Sequence, residues 1–337
     1  MSTSAGTPKP KPPKPKAKAK RPKAEPPKLT PPPPKPPPKP APERCSATSR
    51  DLGESLRGTA STVVRWLLIE EPGPWAPDAL EHGRLPQRVA GHLRDQAGRH
   101  GVRVVLIRRH GRHVPDGIQV YAAHAGLRRR WLEHTHLPDH QALLDLDLAP
   151  IRRGEPLGIG TEQAEPIYLV CTNGRHDPCC SERGRPVANA LQAAFGDRVW
   201  EVSHIGGDRF APNVVCLPAG VYLGRVEPEV AVAVIERFDA GRIDLERYRG
   251  RCGYDFATQA ADAFLRERLG ADVLDDVVLD RREHDDHRVR AVFRVRDSGT
   301  YRVVVEVGHD GPARRITCSG EHERTPPVYR LVEIAPD

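Results

Sequence analysis

Two short strings in this 337-residue chain bring together side chains that bind metals. The first is Cys171-Thr-Asn-Gly-Arg-His-Asp-Pro-Cys179-Cys180-Ser-Glu-Arg-Gly. Cys171 should end a buried strand, and Cys180, nine residues on, should stand just before a helix. A helix N-terminus and the neighbouring Arg175 and Arg183 would favour a thiolate there, which suits a metal ligand better than an inert core thiol. The second string is Ser203-His204-Ile-Gly-Gly-Asp208-Arg-Phe-Ala-Pro-Asn213. Gly206 and Gly207 permit a tight turn, so His204 and Asp208 can face one site. Two loops at the ends of adjacent strands would then meet around one metal centre.

The elements that must position these groups can be read from periodicity. Residues 166–171 form a short apolar run, read as a buried strand. Residues 185–195 read as a helix, 198–203 as a second strand, 213–217 and 221–223 as a hairpin across Pro218-Ala219-Gly220, and 229–238 as a closing helix. Strand, helix, strand, strand, strand, helix is the order of a minimal thioredoxin-like domain. Before it, 62–70, 102–108 and 117–123 read as strands, 87–100 as a helix and 142–148 as a short apolar run. These make an N-terminal α/β unit. A linker is expected at 152–165. After it come one helix at 256–269 and four strand-like runs at 273–279, 288–296, 301–307 and 314–318, an antiparallel α+β appendage. The expected division is a tail at 1–44, an α/β unit at 45–151, a thioredoxin-like domain at 152–250 and an α+β region at 251–337.

Charge separates the tail from the body. The chain has 52 basic and 45 acidic residues, and ten Lys, two Arg and two Glu lie in 1–44, giving that segment +10. The remainder is slightly acidic, which argues against a uniformly basic nucleic-acid surface. Seventeen of the 35 prolines also lie in 1–44, so a solvated polyproline-type tail is expected there. Any contact it makes with nucleic acid or an anionic surface would be weak and salt-sensitive. Seven cysteines, unevenly spaced, do not describe a secreted disulfide scaffold. No apolar leader and no membrane-length apolar window is visible, so a reducing cytoplasm is the expected compartment, with its thiols free to act as ligands.

The strings VCTNGRHDPCCSERGRPVANAL, VWEVSHIGGDRFAPNVVCLPAGVYLGRV and YRGR, with CSATSRDLGESLRGTA and WLLIEEPGPW upstream, resemble the sucrase/ferredoxin-like family, thioredoxin-like ferredoxins. The resemblance runs from about 45 to 332. It implies a 2Fe–2S cluster held by two Cys and two His. The Cys pair corresponds to Cys171 and Cys180, and the His-x-x-x-His string to His204 and Asp208, so an aspartate stands where relatives place the second histidine. Carboxylate is a harder ligand than imidazole. Asp208 could ligate directly, Cys179 or Cys216 could supply a third thiolate, or the site could hold zinc or no cluster. Neutral imidazole raises the potential of a mixed-ligand cluster above that of an all-Cys one. An anionic Asp208 should lower it again.

Other groups are read more plainly. Cys179 and Cys180 could form a vicinal disulfide, but one serving as ligand while its neighbour packs is the favoured reading. His176 and Asp177 read as solvated loop residues, or as groups that orient ligands or gate protons. Arg209, Asn213, Tyr222 and Arg225 should shape the surroundings. Cys216 reads as a small core hydrophobe, Cys252 and Cys318 as structural. His134, His136, His140, His284 and His287 lack a matching Cys pair and read as surface residues. No mechanism is assigned to Cys45. The basic run 108–112 should cap a strand or dock a partner. The function expected is electron transfer to or from a redox partner protein. The alternatives are a zinc-stabilised or cluster-free binding module and a metal-free thiol redox protein, the latter lacking the usual Cys-x-x-Cys pair.

Overall fold

In the computed structural model, residues 43–111 and 116–337 are described, with Met1 and Lys11. The expected tail and its anionic contact, and the end of the basic run at Arg112, lie outside the described residues.

The order is α1 (Cys45–Asp51), β1 (Arg65–Glu70), α2 (Gln87–His100), β2 (Arg103–Arg108), β3 (Ile118–Ala125), β4 (Arg130–Leu137), β5 (Thr161–Glu162), β6 (Ile167–Cys171), α3 (Pro178–Phe195), β7 (Val199–Val202), β8 (Asn213–Leu217), β9 (Val221–Gly224), α4 (Pro228–Asp239), β10 (Tyr248–Arg251), α5 (Phe256–Leu269), β11 (Val277–Asp285), β12 (Arg288–Val295), β13 (Gly299–Gly308) and β14 (Val328–Pro336). Short 3₁₀ turns, among them Asp208–Phe210, join them. The architecture is mixed α/β.

Among the described residues, ten strands form one sheet in the order β10-β9-β8-β6-β7-β2-β1-β3-β4-β5. The stretches read as separate units, 45–151 and 152–250, meet in it where β2 pairs antiparallel with β7, through Ile107 opposite Val202 and Arg108 opposite Glu201. That seam is short, and side chains extend it. Ser203 donates its N–H to the Leu106 carbonyl and accepts the Leu106 N–H on its hydroxyl, 2.9 and 3.1 Å. Arg108 meets the buried Glu201 at 2.7 Å. His204 follows at once, so the seam sets where it emerges.

β6 is buried at every residue, as a central strand covered on both faces must be. It pairs parallel with β7 and antiparallel with β8, which pairs antiparallel with β9. One face packs around Trp66, Leu169, Trp200, Val215 and Tyr222, with Cys171 and Cys180 in the same cluster. The other carries Tyr168, Val187, Leu191, Val214 and Ile235 under α3 and α4, and Cys216 belongs to it. α5 lies on a separate sheet, β11-β12-β13-β14.

Several expectations need correction. α3 begins at Pro178, seven residues before the expected start. Asp177 caps it by accepting the Cys179 N–H, and Pro178 occupies the first turn, where its missing N–H costs nothing. Gly184 and Pro186 lie inside the helix and masked it in the sequence. Cys180 therefore sits within the helix, not before it. The run 142–148 is largely a 3₁₀ turn, His140–Asp145. β4 was missed because 130–137 alternates around charged and His residues. The run 314–318 is not a strand of the C-terminal sheet; β14 takes that place, and Arg314 makes only an isolated bridge with Arg324.

Candidate metal centre

β6 delivers Cys171 at its last residue, opposite Val202 of β7. α3 delivers Cys180 from its first turn. The close approach of helix and strand depends on Gly184: a Cβ there would collide with the Cys171 carbonyl. The turn after β7 delivers His204 and Asp208. Gly206 and Gly207 lie at φ +88° and +82°, and a Cβ on Gly207 would collide with the Arg249 guanidinium. Arg249, from β10, is fully buried and holds this turn. It donates to the carbonyls of Gly206 (3.1 Å) and Thr59 and to Asn213 Oδ1 (2.9 Å), while Asn213 donates to the Gly207 carbonyl at 2.8 Å. Burial lowers the Arg249 guanidinium to about 10.

The structure brings Cys171, Cys180 and Asp208 into one group of donor atoms, and His176, His204 and Asp208 into another. In each, the atoms lie within 4.8 Å of one another. The Cys180 thiol donates to Asp208 Oδ1 at 3.2 Å. His204 Nδ1 is 3.5 Å from Asp208 Oδ1, buried, and without a hydrogen-bond partner. His176 packs against His204 at a tilt of 41° with ring centroids 3.8 Å apart, its Nε2 3.6 Å from Asp208 Oδ2. Its Nδ1 lies 3.1 Å from the Pro77 carbonyl, which can only accept, so the proton sits on Nδ1 and Nε2 turns inward. Asp208 is the hub, only 2 % exposed.

The electrostatics are those of a site made for charge. The neighbouring Cys180 thiol draws the Cys171 thiol down to about 6 against the cost of burial, with His204 assisting. Cys171 beside it, with burial, pushes Cys180 well above its ordinary value. Burial would raise Asp208, but His176 and His204 outweigh it and hold the carboxyl below its usual range. The Asp208 carboxylate 3.6 Å away raises His176 to about 9 against burial.

The site is buried on the thiol side and open on the imidazole side. His176 and His204 line a surface cavity of about 180 Å³ with residues 77–80, 103–106 and Ser203.

Cys179 and Cys216 do not join this group. Cys179 turns the other way, toward Cys45 and Cys318, and Cys216 is buried on the opposite face of the sheet. All seven cysteines are free thiols. Arg209 binds Glu54 at 2.8 Å, Arg225 holds the Ser49 and Glu54 carbonyls, and Tyr222 packs in the core behind Cys171. His134, His136 and His140 hydrogen-bond with Gln119 and with the Asp116 and Glu70 carbonyls, and His284 faces Asp255 at 3.6 Å; none lies in the groups around Asp208. Of the two readings of His176, a solvated loop residue or a group that orients ligands, the structure sets its ring against His204 and its Nε2 3.6 Å from Asp208. Arg249 escapes the sequence. Arg249 lies in the YRGR string, but only the pairing of β10 with β9 shows what it supports.

Among the described residues no helix is long and apolar enough to cross a membrane. No curated protein and no solved structure matches the chain. A sequence profile described as sucrase/ferredoxin-like matches residues 56–250, from just before β1 into β10, and so spans both loops of the site. The chain belongs to the sucrase/ferredoxin-like family.

Proposed function

We propose that the protein is an electron carrier with a 2Fe–2S cluster held by Cys171, Cys180, His204 and Asp208. The observation that carries this is the convergence of two buried thiols, a buried carboxylate and an imidazole nitrogen left without a partner. The donors fall into a thiol pair and a separate imidazole side with Asp208 common to both, a mixed set that would suit an iron–sulfur centre with thiolate and imidazole ligands. The order β9-β8-β6-β7, with α3 after β6 and α4 after β9, supports a thioredoxin-like scaffold beneath it.

Such a cluster, when bound, accepts and releases single electrons. The chain's own residues supply the rest. Cys171 and Cys180 anchor the buried side. Arg249 places a fixed positive charge behind the turn and keeps it from relaxing. The half-exposed edges of His176 and His204 offer the short path to a redox partner protein docking over the 77–80 and 103–106 segments.

A second reading of the fourth donor has one observation in its favour: His176 Nε2 faces the site while its Nδ1 is engaged by Pro77. On this reading His176 and His204 would both be ligands, and Asp208 would stay outside the ligand set as their charge partner. Electron–nuclear spectroscopy of the reduced protein separates the two. Asp208 as ligand predicts one strongly coupled nitrogen, unchanged in His176→Ala. His176 as ligand predicts two, one lost in that variant.

The proposal as a whole is tested by anaerobic purification from iron-replete cells with assay of iron, zinc, sulfide and visible absorption. Iron and sulfide in equal amounts with a red-brown colour are expected. A colourless, iron-free protein, with or without zinc, would overturn it.

A further inference from the structure

The geometry points to a second, mononuclear metal site beside the first: a zinc ion held by the thiolates of Cys45, Cys179 and Cys318 and by a carboxylate oxygen of Asp177. The four donor atoms lie within 4.8 Å of one another. Cys179 Sγ is 3.6 Å from Cys45 Sγ and 3.4 Å from Cys318 Sγ, and Cys45 Sγ is 3.6 Å from Asp177 Oδ2. A tetrahedral zinc with Zn–S near 2.3 Å sets its sulfurs about 3.8 Å apart. The donors already stand close to the edges of that tetrahedron.

The surroundings suit thiolates. The Cys45 N–H points at Cys318 Sγ at 3.3 Å. Asp177 is completely buried; its Oδ1 accepts the Cys179 N–H at 2.8 Å and its Oδ2 the Cys318 N–H at 2.6 Å, so the carboxylate is aimed before any ion arrives. A disulfide does not account for the arrangement, because any one pairing leaves a third thiol against the same carboxylate. With four protein donors and no open position, the site is of the structural kind.

The ion would clip three remote segments: the start of α1, the start of α3 and the segment between β13 and β14. Apart from the Arg314–Arg324 bridge, that last segment has no strand pairing of its own. Binding displaces the thiol protons to solvent, with no change of oxidation state.

The experiment uses the full-length chain carrying Cys180→Ser, which disables the neighbouring centre. Zinc is added to the metal-free protein, and alkylation of each cysteine is followed by mass spectrometry. Zinc should bind at one ion per chain and slow alkylation of Cys45, Cys179 and Cys318 together by at least tenfold. Cobalt in its place should show thiolate-to-metal charge transfer. Adding Cys318→Ser should weaken zinc binding at least tenfold. Equal alkylation rates with and without zinc, or a disulfide among the three in protein purified without oxygen, would overturn the site. The alkylation readout needs no further variant, so a Cys318→Ser protein that fails to fold leaves the test intact.

Discussion

Cys179 and Cys180 are adjacent in the chain, yet their sulfurs belong to different groups. Cys180 Sγ donates to Asp208 at 3.2 Å, while Cys179 Sγ lies 3.4 Å from Cys318. Successive residues in a helix point about 100° apart, so one turn of α3 can serve two clusters without strain.

The variants should therefore separate. Cys180→Ser should lose iron, sulfide and visible absorption. Cys179→Ser should keep them at near wild-type yield and instead weaken zinc binding. Metal analysis and spectra of the two purified proteins check this, and loss of iron in both would refute the division.

Asp208 puts a negative charge beside the proposed cluster. Asp208→His should raise the reduction potential, on the order of 100 mV, the scale on which exchange of anionic for neutral ligands moves these centres. Redox titration decides, and a potential equal to or below wild type would contradict the assignment.

Gly207 at φ +82° lies against Arg249. Gly207→Ala must accept a left-handed backbone, which costs roughly 1–2 kcal/mol, and must also displace a buried guanidinium. A loss of about 2 kcal/mol or more is expected in denaturant unfolding of the metal-free chain, with reduced cluster occupancy in the loaded one.

Glu201 ties the sheet's seam to the cysteine loop, accepting from Arg108 at 2.7 Å and from the Thr172 hydroxyl at 2.7 Å. Burial would raise its pKa, but Arg108, Thr172 and His110 outweigh burial and hold it below the ordinary 4.5. A carboxyl lowered in the folded state adds stability above its unfolded value and loses it as pH falls through the folded one. Stability should therefore drop below about pH 4.5. Glu201→Gln, which leaves Arg108 without its carboxylate, should cost about 3 kcal/mol near neutrality and flatten that acid limb. Urea melts from pH 3 to 7 test it, with pH points chosen around the carboxylate range.

Much of the candidate site was legible along the chain because the strings that carry its donor groups are short and local. Cys171 at a strand end and His204-x-x-x-Asp208 across two glycines need only a few residues of context, and α2 and α5 appear at their expected bounds because their periodicity is uninterrupted. The start of α3 was hidden because Gly184 and Pro186 lower helix propensity, while the Asp177 cap and packing on β6 override it.

Sequence by itself determined which residue types could bind metal and which two loops carry them, since spacing within a loop constrains what its side chains can reach. Tertiary structure alone decided the partners. His176 joins Asp208 because the Pro77 carbonyl turns its ring. Cys216 leaves the site because strand alternation puts it on the far face. Cys45, Cys179 and Cys318 meet across as many as 273 positions, a separation over which composition and periodicity carry no information.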